Sequence, residues 1–423
     1  AAGPFTTGAT WVGGVAPVDG DTITVNHAVT WTPSAGSTFA LGTGTGTAIT
    51  IGSGGSLTIT GAGAFTLNLT GTVSDTNTAS QAFIVNSTNG THTIIFDASG
   101  AGAGFQILTA GAYDGGSGAQ LTNLRGWKLN GNATYRIAVN SLPSDGTKNS
   151  YFGPTANAGG GVVNASYTDF LRIGNATNAA FAPNFTSTRS FALTVNNCTF
   201  TSCGQYTVSP DSGYASTMAF TDNTWITSVT NGSTSFPLSL SSSAVGTVTF
   251  TRCIWDKILK TNNVKNVTWT NCYFADGWSG SHVATPWTSM NGCFIRIVTA
   301  DGGGGMITPG SLTNSYIYYD KPAGTNPHFI AIEASLTAGT TVNCTGNVAY
   351  FNGTDAAGNI FLAAGSAANT VNIKNNLAMP NAGGSMSGAL VTSDGTVANG
   401  FALYIEHNTA FVLVTHDNAL AAR

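Results

Sequence analysis

The sequence predicts an all-β fold, a right-handed parallel β-helix with an irregular β-rich start, and three observations carry that expectation. Short apolar runs rich in β-formers are separated by Gly, Asn and Ser. One phrase keeps returning, as LTVNNCTF (193–200), TVTFTRCIW (247–255), NVTWTNCYF (266–274), NGCFI (291–295) and LTNSYI (312–317). Within it, one column is filled mostly by residues that tolerate a left-handed backbone.

Composition bounds the answer first. Only 8% of the 423 residues are charged, and Gly alone numbers 54. Disorder would require few β-branched and aromatic residues, whereas 42% here are hydrophobic and 10% aromatic. The formal charge of −4, from 14 basic and 18 acidic residues, leaves no basic stripe for nucleic acid. No apolar stretch is long enough to insert in a membrane. The opening AAGPFTTG fits either a removed signal segment or a trimmed initiator Met.

Aligning the phrases gives a column that runs Thr168, Cys198, Asn223, Cys253, Cys272, Cys293, Ser315, Asn347, Asn376, Asn408. Its spacing of about 19 to 32 residues suits one solenoid turn with variable loops. Large or small apolar residues stand two places after it (Phe170, Phe200, Trp225, Trp255, Phe274, Ile295, Ile317, Ala349, Ala378, Ala410). Three places before it stand Ala165, Val195, Phe220, Phe250, Trp269, Met290, Leu312, Cys344, Ile373 and Ile405.

Strand side chains alternate between faces, yet positions −3 and 0 are an odd number apart and both look inward. The chain must therefore bend between them. The −1 column runs Tyr167, Asn197, Asp222, Arg252, Asn271, Gly292, Asn314, Gly346, Asn375, His407; seven of the ten are Asn, Asp or Gly, which turn a left-handed corner at least cost. A coil of short parallel strands joined by one-residue corners follows, each turn stabilised by its neighbours. The alternative, a β-sandwich array, needs hairpin pairs that are not evident.

Residues 1–160 read as a β-rich solenoid start and 161–423 as the regular coil. DTITVNHAVTWT, TAITIGSGGSLTIT and GAFTLNLTGTV predict shorter turns with Gly-rich corners, His27 being an inward or corner residue. Cys198, Cys253, Cys272 and Cys293 read as small fillers on successive rungs and as free buried thiols. Distance alone also permits a Cys253–Cys272 or Cys272–Cys293 bridge. No CxxC pair points to zinc, and no metal or cofactor is expected. Lys374 and Glu406, both at −2, predict an exposed ion pair of little energetic weight. Thr at −2 (Thr221, Thr251, Thr270, Thr313, Thr345) makes an outward hydroxyl row. Ordinary β-propensity accounts for it, with ice binding a distant third functional reading.

Charged and aromatic residues are densest just after three successive turns. Asp256 and Asp276 fall at +3 and +4 of neighbouring rungs, the arrangement a glycosidase pair would need on one edge. Trp278, His282, Trp287, Arg296 and Tyr318 are the candidate glycan contacts. A solvated rim of ordinary charges explains the same cluster.

At the repeats the chain resembles the pectate-lyase-like superfamily of right-handed parallel β-helices, of the phage tailspike and surface adhesin type, over about residues 160–410. The opening ATWVGGVAPVDGDTITV (9–25), with Asp19 and Asp21 in its turn, is similar to the start of many extracellular and phage-borne β-solenoids. The polygalacturonase signatures N-T-D, G-H-G and R-I-K are absent, RIV at Arg296–Val298 being the nearest echo. The calcium-binding acids and catalytic Arg of pectate lyases have no counterpart, so the resemblance implies fold and not activity. The expectation is a non-enzymatic surface protein of a virion or cell: a fibre, decoration or adhesin that self-associates or joins a larger assembly and touches surface glycans. The alternative is a polysaccharide lyase or glycoside hydrolase using Asp256 and Asp276.

Overall fold

The computed structural model describes residues 1–61, 63–75, 81–98, 106–109, 126–142, 151–154, 162–173, 192–203, 207–208, 217–226, 239–240, 247–255, 267–274, 289–297, 306–307, 310–319, 330–332, 339, 341–351, 361–364, 370–380, 391–394 and 402–410. The chain divides into two compact units, Ala1–Val248 and Thr249–Arg423. Each is a parallel β-helix, as the sequence predicts.

In the first unit, one face stacks Ala28–Trp31, Ser56–Thr60, Gln81–Asn86, Gly126–Asn130, Val162–Ser166, Ala192–Asn196 and Thr217–Thr221 in parallel. A second face stacks Ser37–Leu41, Phe65–Leu69, His92–Asp97, Ile137–Leu142, Thr168–Leu171, Thr199–Thr201 and Thr224–Ile226. A third face begins with Ile23–Val25, Thr47–Ile51 and Thr72–Asp75. The second unit repeats the plan, its third face formed by Met306–Ile307, Ile330–Ile332, Phe361–Ala364 and Val391–Asp394.

Corner chemistry changes along the first unit. Between its first and second faces the early turns need several residues, such as 32–36, where Gly36 has positive φ, and 131–136, where no residue does. From Tyr167 onward one left-handed residue turns the corner. All ten residues of the −1 column have positive φ, from 47° at Tyr167 to 69° at Gly346. Tyr167 and Arg252 adopt it although such residues rarely do, and His407 belongs to a type enriched there. Eight of these corner N–H groups are anchored on the −2 carbonyl of the next turn, as in Asn197 to Thr221 (2.9 Å) and Asn271 to Asn291 (2.8 Å). A second left-handed corner, at Arg172 and Ser202, sends Ile173 and Cys203 inward.

The core forms because the columns on either side of the corner point inward on every turn. Val195, Phe220, Phe250, Trp269, Met290 and Ile373 are fully buried at −3, as are Trp255, Phe274, Ile295 and Ile317 at +2. Rings on successive turns stack nearly parallel: Phe170 on Phe200 at 4.9 Å, Phe200 on Trp225 at 5.1 Å, Trp255 on Phe274 at 4.9 Å. These distances match the strand spacing of a sheet, so the aromatic columns and the backbone share one period.

The column after the corner does more than fill space, which the sequence reading of it as small fillers did not anticipate. A left-handed corner breaks the backbone ladder and leaves polar groups to be satisfied. Asn closes the gap twice. Its Oδ1 accepts the backbone N–H of the same column one turn back: Cys198 to Asn223 (2.8 Å), Ser315 to Asn347 (2.9 Å), Asn347 to Asn376 (3.0 Å), Asn376 to Asn408 (2.9 Å). Its Nδ2 donates to the −3 carbonyl of that earlier turn: Val195 (2.8 Å), Leu312 (2.9 Å), Cys344 (2.8 Å), Ile373 (2.7 Å). Ser315 Oγ also accepts the Cys293 N–H one turn back, at 3.1 Å. Ser315 and Thr168 donate to the −2 carbonyl of their own turn, at 2.9 and 3.1 Å. The thiols of Cys198, Cys253, Cys272 and Cys293 do the same at 3.3 to 3.6 Å.

All six cysteines are buried free thiols. Burial pushes Cys198, Cys203 and Cys344 up to about 12. Cys272 reaches about 12 mainly through the neighbouring Cys253 thiol, and Cys293 is raised chiefly by Cys272.

Outside the core, Lys374 and Glu406 meet at 2.9 Å, both partly exposed, as the sequence predicts. Arg136 makes a bidentate pair with Asp169 (2.6 and 2.8 Å) and reaches the Asn197 corner carbonyl at 2.9 Å. It thereby ties three successive turns. His27 is an exposed corner residue rather than an inward one.

Three outcomes check this picture. Asn271→Val and Asn314→Val should each lower unfolding free energy by about 1–2 kcal/mol through corner strain; unchanged denaturant midpoints would refute the corner role. Asn376→Leu leaves the Asn347 N–H and Cys344 carbonyl unsatisfied, at about 1–3 kcal/mol each. The third concerns the thiols. Native protein at mildly alkaline pH should resist maleimide while denatured protein takes up six equivalents, because a thiol is reactive only as thiolate; rapid native labelling would contradict the burial.

Candidate functional site

Inward positions are spent on the coil, so recognition chemistry falls to the outward ones. In the second unit, the second face consists of Ile254–Trp255, Tyr273–Phe274, Phe294–Ile297, Tyr316–Tyr319, Val348–Phe351, Leu377–Pro380 and Thr409–Ala410. Alternation sends Trp255, Phe274, Ile295 and Ile317 in, and it therefore sends Ile254, Tyr273, Phe294, Tyr316, Val348 and Leu377 out. A parallel outward row two residues further on holds Arg296, Tyr318, Tyr350 and Met379.

These rows are aromatic columns of their own. Tyr273 stacks on Phe294 at 4.7 Å, Phe294 on Tyr316 at 5.4 Å, and Tyr318 on Tyr350 at 5.4 Å with planes within 6°. Ile254 and Tyr273 remain 42% exposed. Partial burial raises the Tyr316 phenol above its usual value, with Tyr350 and Tyr318 adding to the effect. Because the rings stack along the direction in which turns repeat, the stacked faces are committed to one another. Edges and hydroxyls are what the rows offer a ligand. A sugar lying flat on a ring face needs the outer ring of a stack.

Of the candidates named from sequence, Arg296 and Tyr318 are brought together as direct register partners in this outward row. Asp256, Asp276, Trp278, His282 and Trp287 lie outside the described residues. Tyr273, Phe294, Tyr316 and Tyr350 were missed. Reading the +1 and +3 columns with the same alignment that gave the inward ones would have found them.

The outward side of the first face is different in kind. Thr268, Thr270, Ser289, Asn291, Ser311, Thr313, Asn343, Thr345 and Asn372 form two rows of hydrogen-bonding groups, one of which the Lys374–Glu406 pair continues. Much of that capacity is used internally: Thr313 Oγ1 donates to Asn291 Oδ1 at 3.0 Å, Asn372 Nδ2 to Asn343 Oδ1 at 2.8 Å, and the Asn343 N–H to Ser311 Oγ at 3.1 Å. Such rows brace the coil. An ice lattice would have to displace these bonds.

Among the described residues no group of three or more His, Cys, Asp or Glu could hold a metal ion, and no helix is long and apolar enough to cross a membrane. A shallow, open hollow near His27, walled by Thr10, Trp11 and Asn26, carries no carboxylate. Compared with family models, curated proteins and solved structures, the chain matches none.

Proposed function

We propose that this protein is a non-enzymatic β-solenoid of a virion or cell surface, a fibre, decoration or adhesin that touches surface glycans through the outward side of its second face. The observation that carries the reading is the aromatic double row from Tyr273 to Tyr350. Six turns present aliphatic and aromatic edges with Arg296 among them, and the described residues of these two rows include no carboxylate. That chemistry suits contact with a polyol and lacks the paired acids of hydrolysis. A place in the pectate-lyase-like superfamily, outside the cell, belongs to this same proposal.

Membership of a larger assembly is part of it. In the strand Ala402–Glu406, Ile405 is 49% exposed, whereas Ile373, its register partner one turn back, is fully buried. A neighbouring surface that covers Ile405 and Tyr404 would remove that exposed apolar area from water.

A panel of immobilised bacterial and host polysaccharides tests the reading. Binding should occur without shortening of the polymer, and a Tyr273→Ala, Tyr350→Ala double variant should bind at least about tenfold more weakly, one stacking contact being worth about 1 kcal/mol or more. Absence of binding to every member sinks the glycan contact. Chain cleavage lost in Asp256→Asn or Asp276→Asn would install the lyase or hydrolase reading in its place.

A further inference from the structure

One buried titratable group has no part in the coil's hydrogen bonding. His92 begins the strand His92–Asp97 in the first unit and is only 1% exposed. Neither ring nitrogen makes a hydrogen bond. The ring meets Phe65 edge-on at 6.1 Å, and Phe65 is also its register partner one turn back. On the other side, Thr93 pairs with Ala138, which places the fully buried Ile137 beside it. Gly61 makes room for the imidazole: a Cβ there would collide with Cε1 and Nε2. The backbone is meanwhile held tightly, since the His92 N–H donates to Ser87 Oγ at 3.1 Å and that hydroxyl donates to the Gly90 carbonyl.

We infer that His92 is an acid-sensitive latch: neutral, it closes the 87–92 corner of the coil, and protonated, it forces that corner and its neighbouring turns open. A charge placed there meets no carboxylate on the flanking strands among the described residues, the Asn86 backbone being the group that favours it. The strands packed against it, Phe65–Leu69 and Ile137–Leu142, and the flanking Ser56–Thr60 and Gln81–Asn86 contain no titratable residue. Arg136, just before Ile137–Leu142, is bound to Asp169, and Asp97 stands at the far end of His92's own strand.

Burial holds His92 below the ordinary histidine value against the opposing pull of the Asn86 backbone. Its folded pKa is thus depressed relative to the unfolded value of 6.5. The stability tied to the neutral ring is therefore complete above that value and is lost as pH falls from it through the folded pKa.

Hydrogen exchange on the whole chain, compared between about pH 7 and about pH 5 after correction for intrinsic rates, tests the latch. Protection of the strands Phe65–Leu69 and His92–Asp97 should fall by up to about tenfold per pH unit below the unfolded value, and that of Ala192–Asn196 should hold. In His92→Phe the acid step should vanish. The same loss in His92→Phe would overturn the proposal. Should that variant fail to fold, the wild-type imidazole signal, assigned through His92→Gln, decides: titration at or above about 6.5 in the folded chain contradicts the latch, and titration below it supports the latch.

Discussion

A left-handed corner cannot be closed by backbone alone, and the rest of this coil follows from that constraint. Each corner residue leaves an N–H after it and a carbonyl before it without a ladder partner. The residue that follows must therefore be small enough to point inward and polar enough to satisfy them. Asn does both across turns, as Asn347, Asn376 and Asn408 do in series. Ser, Thr and Cys do part of the work, within a turn and, at Ser315 and Cys272, across turns as well. The result, in the turns with one-residue corners, is a column of buried amides, hydroxyls and thiols that ties a turn to its neighbour.

Register has consequences on both sides of the wall. Inside, it aligns Trp and Phe rings into stacks at the spacing of the strands. Outside, it repeats whatever the +1 and −2 positions carry, so one surface becomes aromatic and another a sheet of hydroxyls and amides. β-propensity alone would favour similar residues on both. The difference between Tyr273, Phe294 and Tyr316 on one side and Thr270, Asn291 and Thr313 on the other is what gives the glycan reading its location.

The corner column was legible in the sequence because positive φ restricts residue type sharply, and Asn, Asp and Gly recur wherever it is required. Tyr167, Arg252 and His407 show the limit of that signal, since only alignment with neighbouring turns identifies them as corners. The ladder bonds were less legible. Alternation says that Asn347 points inward but not that its amide spans two turns. Corners of several residues, as at 131–136, set no fixed period, so the early turns were read as turns but not aligned, and the buried His92 was hidden. At the candidate site Arg296 and Tyr318 were found by local density of charge and aromatics. Tyr273 and Tyr350 were not, because their signal is periodic over turns and invisible in any short window.

The central claim is that side-chain amides close the corners, and residue-resolved amide exchange tests it most directly. The account predicts that the backbone N–H groups of Asn347 and Asn376 exchange as slowly as strand amides such as Ile373, although both sit at corners. In Asn408→Leu the Asn376 amide should speed up while that of Asn347 stays protected, because only the former donates to Asn408. Loop-like exchange of both amides in the wild-type chain, or no change at Asn376 in the variant, would contradict it.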